Sequence, residues 1–158
     1  MRLVARVAIL VGTLLALTSC YELEREVIPI AAGEVVSELK DSGSLGDRTF
    51  RVGRSGQGND YRFTETFRGR SRVGSFRAMR VQGDLWIMQS RYDGDPFYTA
   101  SFWRVGTAVV TRVEPRGDIA ALAERHGVVR EGDLVRGQPT NVLAFLRAHV
   151  NLNFAPAD

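Results

Sequence analysis

Cysteine, histidine and lysine are nearly absent from this chain. Among 158 residues there is one cysteine, Cys20, two histidines, His126 and His149, and one lysine, Lys40, against twenty arginines. A single cysteine cannot form an internal disulfide, so stability has to come from packing. Cys20, His126 and His149 have no metal-ligand spacing. The two histidines fall near the ends of helical stretches, where a cation suits the helix dipole. No serine stands in a nucleophile-elbow context, so Ser55 and Ser71 have no support as nucleophiles. Gly53, Gly56 and Gly58 lack the Lys-Ser/Thr ending and following helix of a phosphate loop, and read as turn residues. Asp93 and Asp95 lack the rest of a calcium loop, and Pro96 beside them fits a plain turn. These absences predict a protein that is not an enzyme, with no catalytic residue, cofactor or metal. A long hydrophobic run is missing too: Val7–Leu17 falls short of the roughly 20 residues that a membrane-spanning helix takes.

What is present begins at the N-terminus. Arg2 and Arg6 precede the uncharged run Val7–Leu17, and Leu17-Thr18-Ser19-Cys20 follows it. A positive start, a short apolar middle and small residues before a cut are the layout of an export signal. The ending resembles the lipobox of bacterial lipoproteins. That resemblance implies a diacylglyceryl group on the Cys20 thiol, cleavage of the Ser19–Cys20 bond and acylation of the new amino group. One acyl chain binds a membrane only marginally, whereas three anchor it effectively for good. In that family Asp after the cysteine commonly retains the protein in the inner membrane. Tyr21 stands there instead, which implies an outer-membrane anchor facing the periplasm. A secretory signal cut without lipid is an alternative. So is a buried N-terminal helix, although such a helix would show a polar face that Val7–Leu17 lacks.

Removing Arg2 and Arg6 leaves 19 of the 21 Lys+Arg against 18 Asp+Glu, a net of +1. The overall charge therefore gives no case for nucleic acid as a partner. The length suits one domain with a real core. Residues 1–19 are the expected signal, 20–47 a lipidated tether, 48–153 a single β-rich domain and 154–158 a frayed tail. The tether reading rests on seven acids against Arg25 and Lys40, on Pro29, and on the turn-rich stretch Asp41–Asp47. Such a tether, if flexible, spans on the order of 30 Å and would hold the domain clear of lipid headgroups. A short helix over Gly33–Lys40 is also expected. The rival reading docks Val27–Val36 on the domain as an edge strand.

From Arg48 the pattern is one of short strands. Thr49–Val52, Asp60–Arg68, Ser75–Val81, Asp84–Tyr92, Phe97–Val105 and Ala108–Glu114 are separated by turn signals. Tyr61, Phe63 and Phe67 alternate with Arg62, Thr64, Thr66 and Arg68, although Glu65 interrupts the apolar face. Short connections require antiparallel pairing. Two helices follow, one capped by Asp118 and stopped by Gly127, the other capped by Thr140 and running over Asn141–Val150. Residues 128–135 lie between them, extended and broken at Glu131-Gly132-Asp133. The reading is α+β: an antiparallel meander of about six strands with two C-terminal helices packed on one face. A small β-barrel is the alternative.

Two features point to binding. Residues 48–80 hold nine arginines against Asp60 and Glu65. Arg62, Arg68, Arg70 and Arg72 are the candidate site, because guanidinium forks on one face suit phosphate, carboxylate or an acidic protein surface. The bland alternative is a solvated face that pairs with the acidic tether. Trp86, Tyr92, Phe97, Tyr98, Phe102 and Trp103 form the second feature. Tyr98 and Phe102 share one face of a strand and Trp103 the other. The plain reading of these residues is core; if both faces are apolar, one goes to the helices and the other is a binding surface or a groove for the tether.

Through Phe76–Tyr92 and Ala120–Val128 the mature part resembles small, uncharacterised envelope lipoproteins of Gram-negative bacteria, a resemblance that carries no activity. The expected function is that of a lipid-anchored, non-catalytic binding or assembly module. Its partners are the membrane, through the lipid, and an envelope protein or an anionic lipid or glycan. A carrier or sensor of a small apolar or anionic ligand is the alternative.

Overall fold

The computed structural model describes residues 21–45, 47–56, 58–106, 110–115, 118–150 and 154–156. The signal segment and Cys20 lie outside the described residues. The strands are β1 (Tyr21–Leu23), β2 (Ser42–Leu45), β3 (Arg48–Arg54), β4 (Tyr61–Phe67), β5 (Arg70–Gln82), β6 (Leu85–Tyr92), β7 (Tyr98–Val105), β8 (Val110–Pro115), β9 (Val129–Glu131), β10 (Leu134–Arg136) and β11 (Phe154–Pro156). Helix α1 covers Ile119–Arg125 and α2 covers Pro139–Val150. No described helix is long and apolar enough to cross a membrane.

β3 to β8 are six consecutive antiparallel strands, which is the expected meander. The sheet is larger than that meander and is mixed. β2 extends it at one edge. At the other side β7 divides its free edge, giving Tyr98–Ala100 to β1 and Phe102–Val105 to β8. β1 is parallel to β10, and β10 is antiparallel to β9. The main path thus ends on β2 and β9 and does not close, so the fold is α+β and not a barrel.

Alternation sends two sets of side chains to opposite faces. On one face Met79, Ile87, Ala100 and Phe102 pack with Leu122 and Ala123 of α1 and with Val142, Phe145, Leu146 and Val150 of α2. Both expected helices are present and share that face. Asp118 caps α1 through its side chain, which accepts from the Ala121 N–H at 3.0 Å. The other cap differs from expectation: α2 opens at Pro139, whose missing N–H costs nothing in a first turn, and Thr140 lies inside.

On the second face Ala78, Trp86, Met88, Trp103 and Val105 form one cluster, and Phe50, Val52, Tyr61, Phe63 and Phe76 another. Val36 and Leu39 cover them, so this face is the groove for the N-terminal segment. Residues 21–45 are consequently not a free tether. Tyr21, Leu23, Val27, Ile28 and Val36 are all buried. The Val27 and Ile28 N–H groups donate to Gln89 Oε1 at 2.6 and 3.0 Å on the helix side. The Glu34 N–H donates to the Ala78 carbonyl at 2.8 Å, and the Val36 N–H to the Tyr61 hydroxyl at 2.9 Å. The segment thus passes from one face to the other beside the part of β5 that β4 does not reach. It docks as a strap and not as the edge strand of the rival reading. The expected helix over 33–40 is absent; a turn closes there, with the Leu39 N–H on the Val36 carbonyl at 3.2 Å. The expected frayed tail is likewise corrected over 154–156, where β11 pairs with Val113–Pro115.

Gly74 in β5 is a packing requirement. A Cβ there would collide with the Phe63 ring and the Arg91 carbonyl oxygen, whereas one on Gly53 would meet nothing. Gly74→Ala is expected to lower stability by about 1–3 kcal/mol through overpacking. Gly53→Ala serves as the near-neutral control, with both read from urea midpoints.

Candidate anion-binding site

The site grows out of one turn. Arg68 and Gly69 join β4 to β5 with φ of 48° and 75°. Two central residues with positive φ make a type I′ hairpin, whose twist matches the flanking strands. That turn fixes the register: Phe67 lies opposite Arg70 and Glu65 opposite Arg72, while β3 sets Arg48 opposite Phe67. Arg48, Glu65, Phe67, Arg70 and Arg72 therefore project from one face. With Arg68 they line an open pocket of about 610 Å³.

Glu65 is the floor of this pocket, only 5 % exposed. Its carboxylate accepts from Arg48 Nη1 and from the Tyr92 hydroxyl. Burial first, and the Glu65 carboxylate second, push the Tyr92 hydroxyl well above its usual range, so it stays a donor. The interruption that Glu65 makes in an aromatic strand face thus has a physical account: the charge is buried and fully engaged.

The walls are guanidinium groups stacked on rings. Arg48 and Arg68 lie 4.5 and 5.0 Å from the centre of the Phe67 ring, and Arg72 lies 3.7 Å from that of Tyr92. Such stacking holds a guanidinium plane in place without using its N–H donors. Arg68 pairs with Asp47 at 3.4 Å, and Arg72 Nη2 reaches both carboxylate oxygens of Asp95, at 3.0 and 3.1 Å. Both pairs are exposed and worth no more than about 1 kcal/mol, so an incoming anion can displace them. Arg70 is exposed and has no partner among the described residues. The lining carries four cations against one carboxylate that is already occupied, with Asp47 and Asp95 at the rim.

The structure brings together three of the four arginines expected from the sequence, Arg68, Arg70 and Arg72, and separates Arg62. Arg62 lies opposite Gly53 and Ser75, on the other face. It forks onto Asp93 at 2.9 and 2.6 Å. Each partner strengthens the charge of the other: the hydrogen bond raises the Arg62 pKa and lowers that of Asp93. Arg77 is not a surface charge either. At 5 % exposure it donates Nε and Nη2 to Asp60 at 2.6 and 2.7 Å, and Nη1 to Glu26 at 3.2 Å and to the Ile28 carbonyl. Arg48, Glu65, Phe67 and Tyr92 complete the site, although the sequence reading did not place them with the candidate arginines. Narrowing the basic turn over 67–72 to Arg68-Gly69 sets the register that adds the first three.

His149 has a structural setting. It is fully buried in α2, with Nδ1 hydrogen-bonded to the Tyr21 hydroxyl at 3.0 Å. Among the described residues no three His, Cys, Asp or Glu gather as a metal site. In comparisons with known proteins no family model, no curated protein and no solved structure matches this chain.

Proposed function

We propose that this protein is a lipid-anchored envelope module, without chemistry of its own, that holds an anionic group in the arginine pocket. The anchor is Cys20, and the placement is the outer membrane facing the periplasm, as the lipobox resemblance implies. The observation that carries the reading is the convergence of Arg48, Arg68, Arg70 and Arg72 on one open pocket whose single lining carboxylate is engaged at the floor. Guanidinium forks hold phosphate and carboxylate through paired hydrogen bonds. Nothing in that arrangement offers a nucleophile or a general base beside them.

The anionic form of the carrier reading shares this pocket. Among the described residues, the cavities beside Val135 and beside Gln89 hold about 10 and 20 Å³, room for one water at most.

The test is calorimetric titration of the protein with pyrophosphate, citrate and chloride. Pyrophosphate is expected to bind, and Arg70→Ala to weaken it roughly tenfold to a hundredfold, the worth of one charge-assisted hydrogen bond. Arg62→Ala, on the other face, is expected to leave the affinity unchanged. Equal losses in the two variants would mean a diffuse field and no site. Intact mass measurement checks the anchor: the mature chain should begin at Cys20 and carry acyl groups, and Cys20→Ala should carry none.

A further inference from the structure

The direction of β1 decides which way the pocket points. Tyr21 lies opposite Ala100 and Leu23 opposite Tyr98. Along β7, Tyr21 thus sits on the Val105 side of Leu23. Across the sheet, Ala100 pairs with Gln89 and Gln89 with Arg77, so Arg77 marks on β5 the level at which the chain enters. Arg72 and Arg70 lie five and seven residues before Arg77, on the opposite side of that level. This separation is about 17–23 Å along the strands. The path from β1 to β5 through β7 and β6 adds about 14 Å across them.

Cys20 adjoins this frame in the sequence. Tyr21, the next residue, is buried, with ring centres 6.4 Å from Phe102, 5.5 Å from Phe145 and 5.7 Å from His149. A lipid on Cys20 is thus joined to the sheet through a residue that the core itself holds. A free tether would let the pocket reach the headgroups at any distance from the anchor, whereas attachment beside buried Tyr21 keeps the two apart by the distances above. A lipid on Cys20 would draw the Tyr21 level of the sheet to the bilayer, and the Arg68-Gly69 turn with its pocket lies away from that level.

We propose that the arginine pocket receives phosphate groups presented from the aqueous side, and not the phosphates of the bilayer that holds Cys20. This rests on the reading of Cys20 as the lipid site and of the pocket as an anion site. Phosphate is favoured over a lone carboxylate by charge. Arg70 is unpaired among the described residues, and the exposed pairs of Arg68 with Asp47 and of Arg72 with Asp95 are weak. These three guanidinium groups can therefore turn to one multiply charged oxyanion, which attracts each of them more than a single charge does. The pocket, open and of about 610 Å³, has room for an oxyanion larger than one carboxylate.

The experiment compares pyrophosphate binding by three forms: Cys20→Ala protein free in solution, and the lipidated full chain in zwitterionic vesicles and in vesicles enriched in anionic phospholipid. The expected result is one affinity in all three, weakened at least about tenfold by Arg70→Ala in each. Affinity in the free protein but loss in anionic vesicles alone would place the pocket against its own membrane and overturn the orientation, while leaving the anion site standing. No binding by the free protein would remove the anion site and the orientation with it. A second population of anionic vesicles, without protein, separates two sources of the phosphate. Clustering of the two populations, abolished by pyrophosphate, supports an opposing membrane surface. Pyrophosphate binding without clustering supports a soluble phosphorylated compound.

Discussion

Arg77→Ala is expected to lower folding stability by about 3–5 kcal/mol, the cost of removing one partner from a buried ion pair. The guanidinium satisfies both oxygens of Asp60, one oxygen of Glu26 and the Ile28 carbonyl. Its side chain is 6 % exposed, against 25 % for Asp60 and 48 % for Glu26. Water can therefore recover part of what the carboxylates lose, which places the effect toward the lower end. The loss should be local before it is global. Arg77 is the point where the N-terminal strap meets the sheet, and Gly33 packs directly on its side chain. Limited proteolysis is expected to cut the variant between Glu24 and Lys40 under conditions in which the parent protein resists. Arg62→Ala removes an equally well-formed but exposed fork to Asp93, and is expected to cost under about 1 kcal/mol. Equal effects at the two positions in urea denaturation would mean that burial of Arg77 is not what ties down the strap.

The second large effect is a loss of stability in mild acid, traced to His149. Burial, with a smaller contribution from the nearby Arg130 charge, lowers its pKa to about 4. Its surroundings are Tyr21, Phe102 and Phe145, with Arg130 over the Tyr21 ring. No partner for Nε2 is present among the described residues. In the unfolded chain a histidine titrates near 6.5. Between about 6.5 and about 4 the unfolded state therefore binds a proton that the folded state refuses, and stability falls as pH falls. Above 6.5 the contribution is complete; by the lower limit roughly 3 kcal/mol is gone. Urea midpoints at pH 7.5 and pH 5 read the slope directly. His149→Phe should be less dependent on pH in this window, whatever its absolute stability. An unchanged slope would assign the acid sensitivity to other groups.

The meander was legible in the sequence because its signals are local. Tyr61, Phe63 and Phe67 alternate with polar residues, and the connections at Gln82-Gly83 and Asp93–Pro96 are short. The helices were legible from Asp118, Gly127 and the stripe Val142, Phe145, Leu146, His149. The N-terminal segment was not, because its partners are distant. Glu22, Glu24 and Glu26 look like solvated charges of a tether when read in place. Glu24 in fact pairs with Arg136 at 2.7 Å, 112 residues away, and Glu26 with Arg77, 51 residues away. The parallel pairing of β1 with β10 leaves no short-range trace either. The site was half legible. The crowding of arginines within 48–80 pointed to Arg68, Arg70 and Arg72. Adding Arg62 ignored the register, since a residue between Tyr61 and Phe63 must face away from them. Glu65, taken as a flaw in the strand, is the residue on which the pocket is built.

That pocket is tested most directly by the side-chain Nε–Hε signals of the arginines, followed by NMR as pyrophosphate is added to the protein. The account predicts that the signals of Arg68, Arg70 and Arg72 shift and saturate together. Those of Arg62, Arg104 and Arg136, exposed and paired outside the pocket, should stay where they are. Shifts spread evenly over all exposed arginines, or no saturating shift at Arg70, would contradict it.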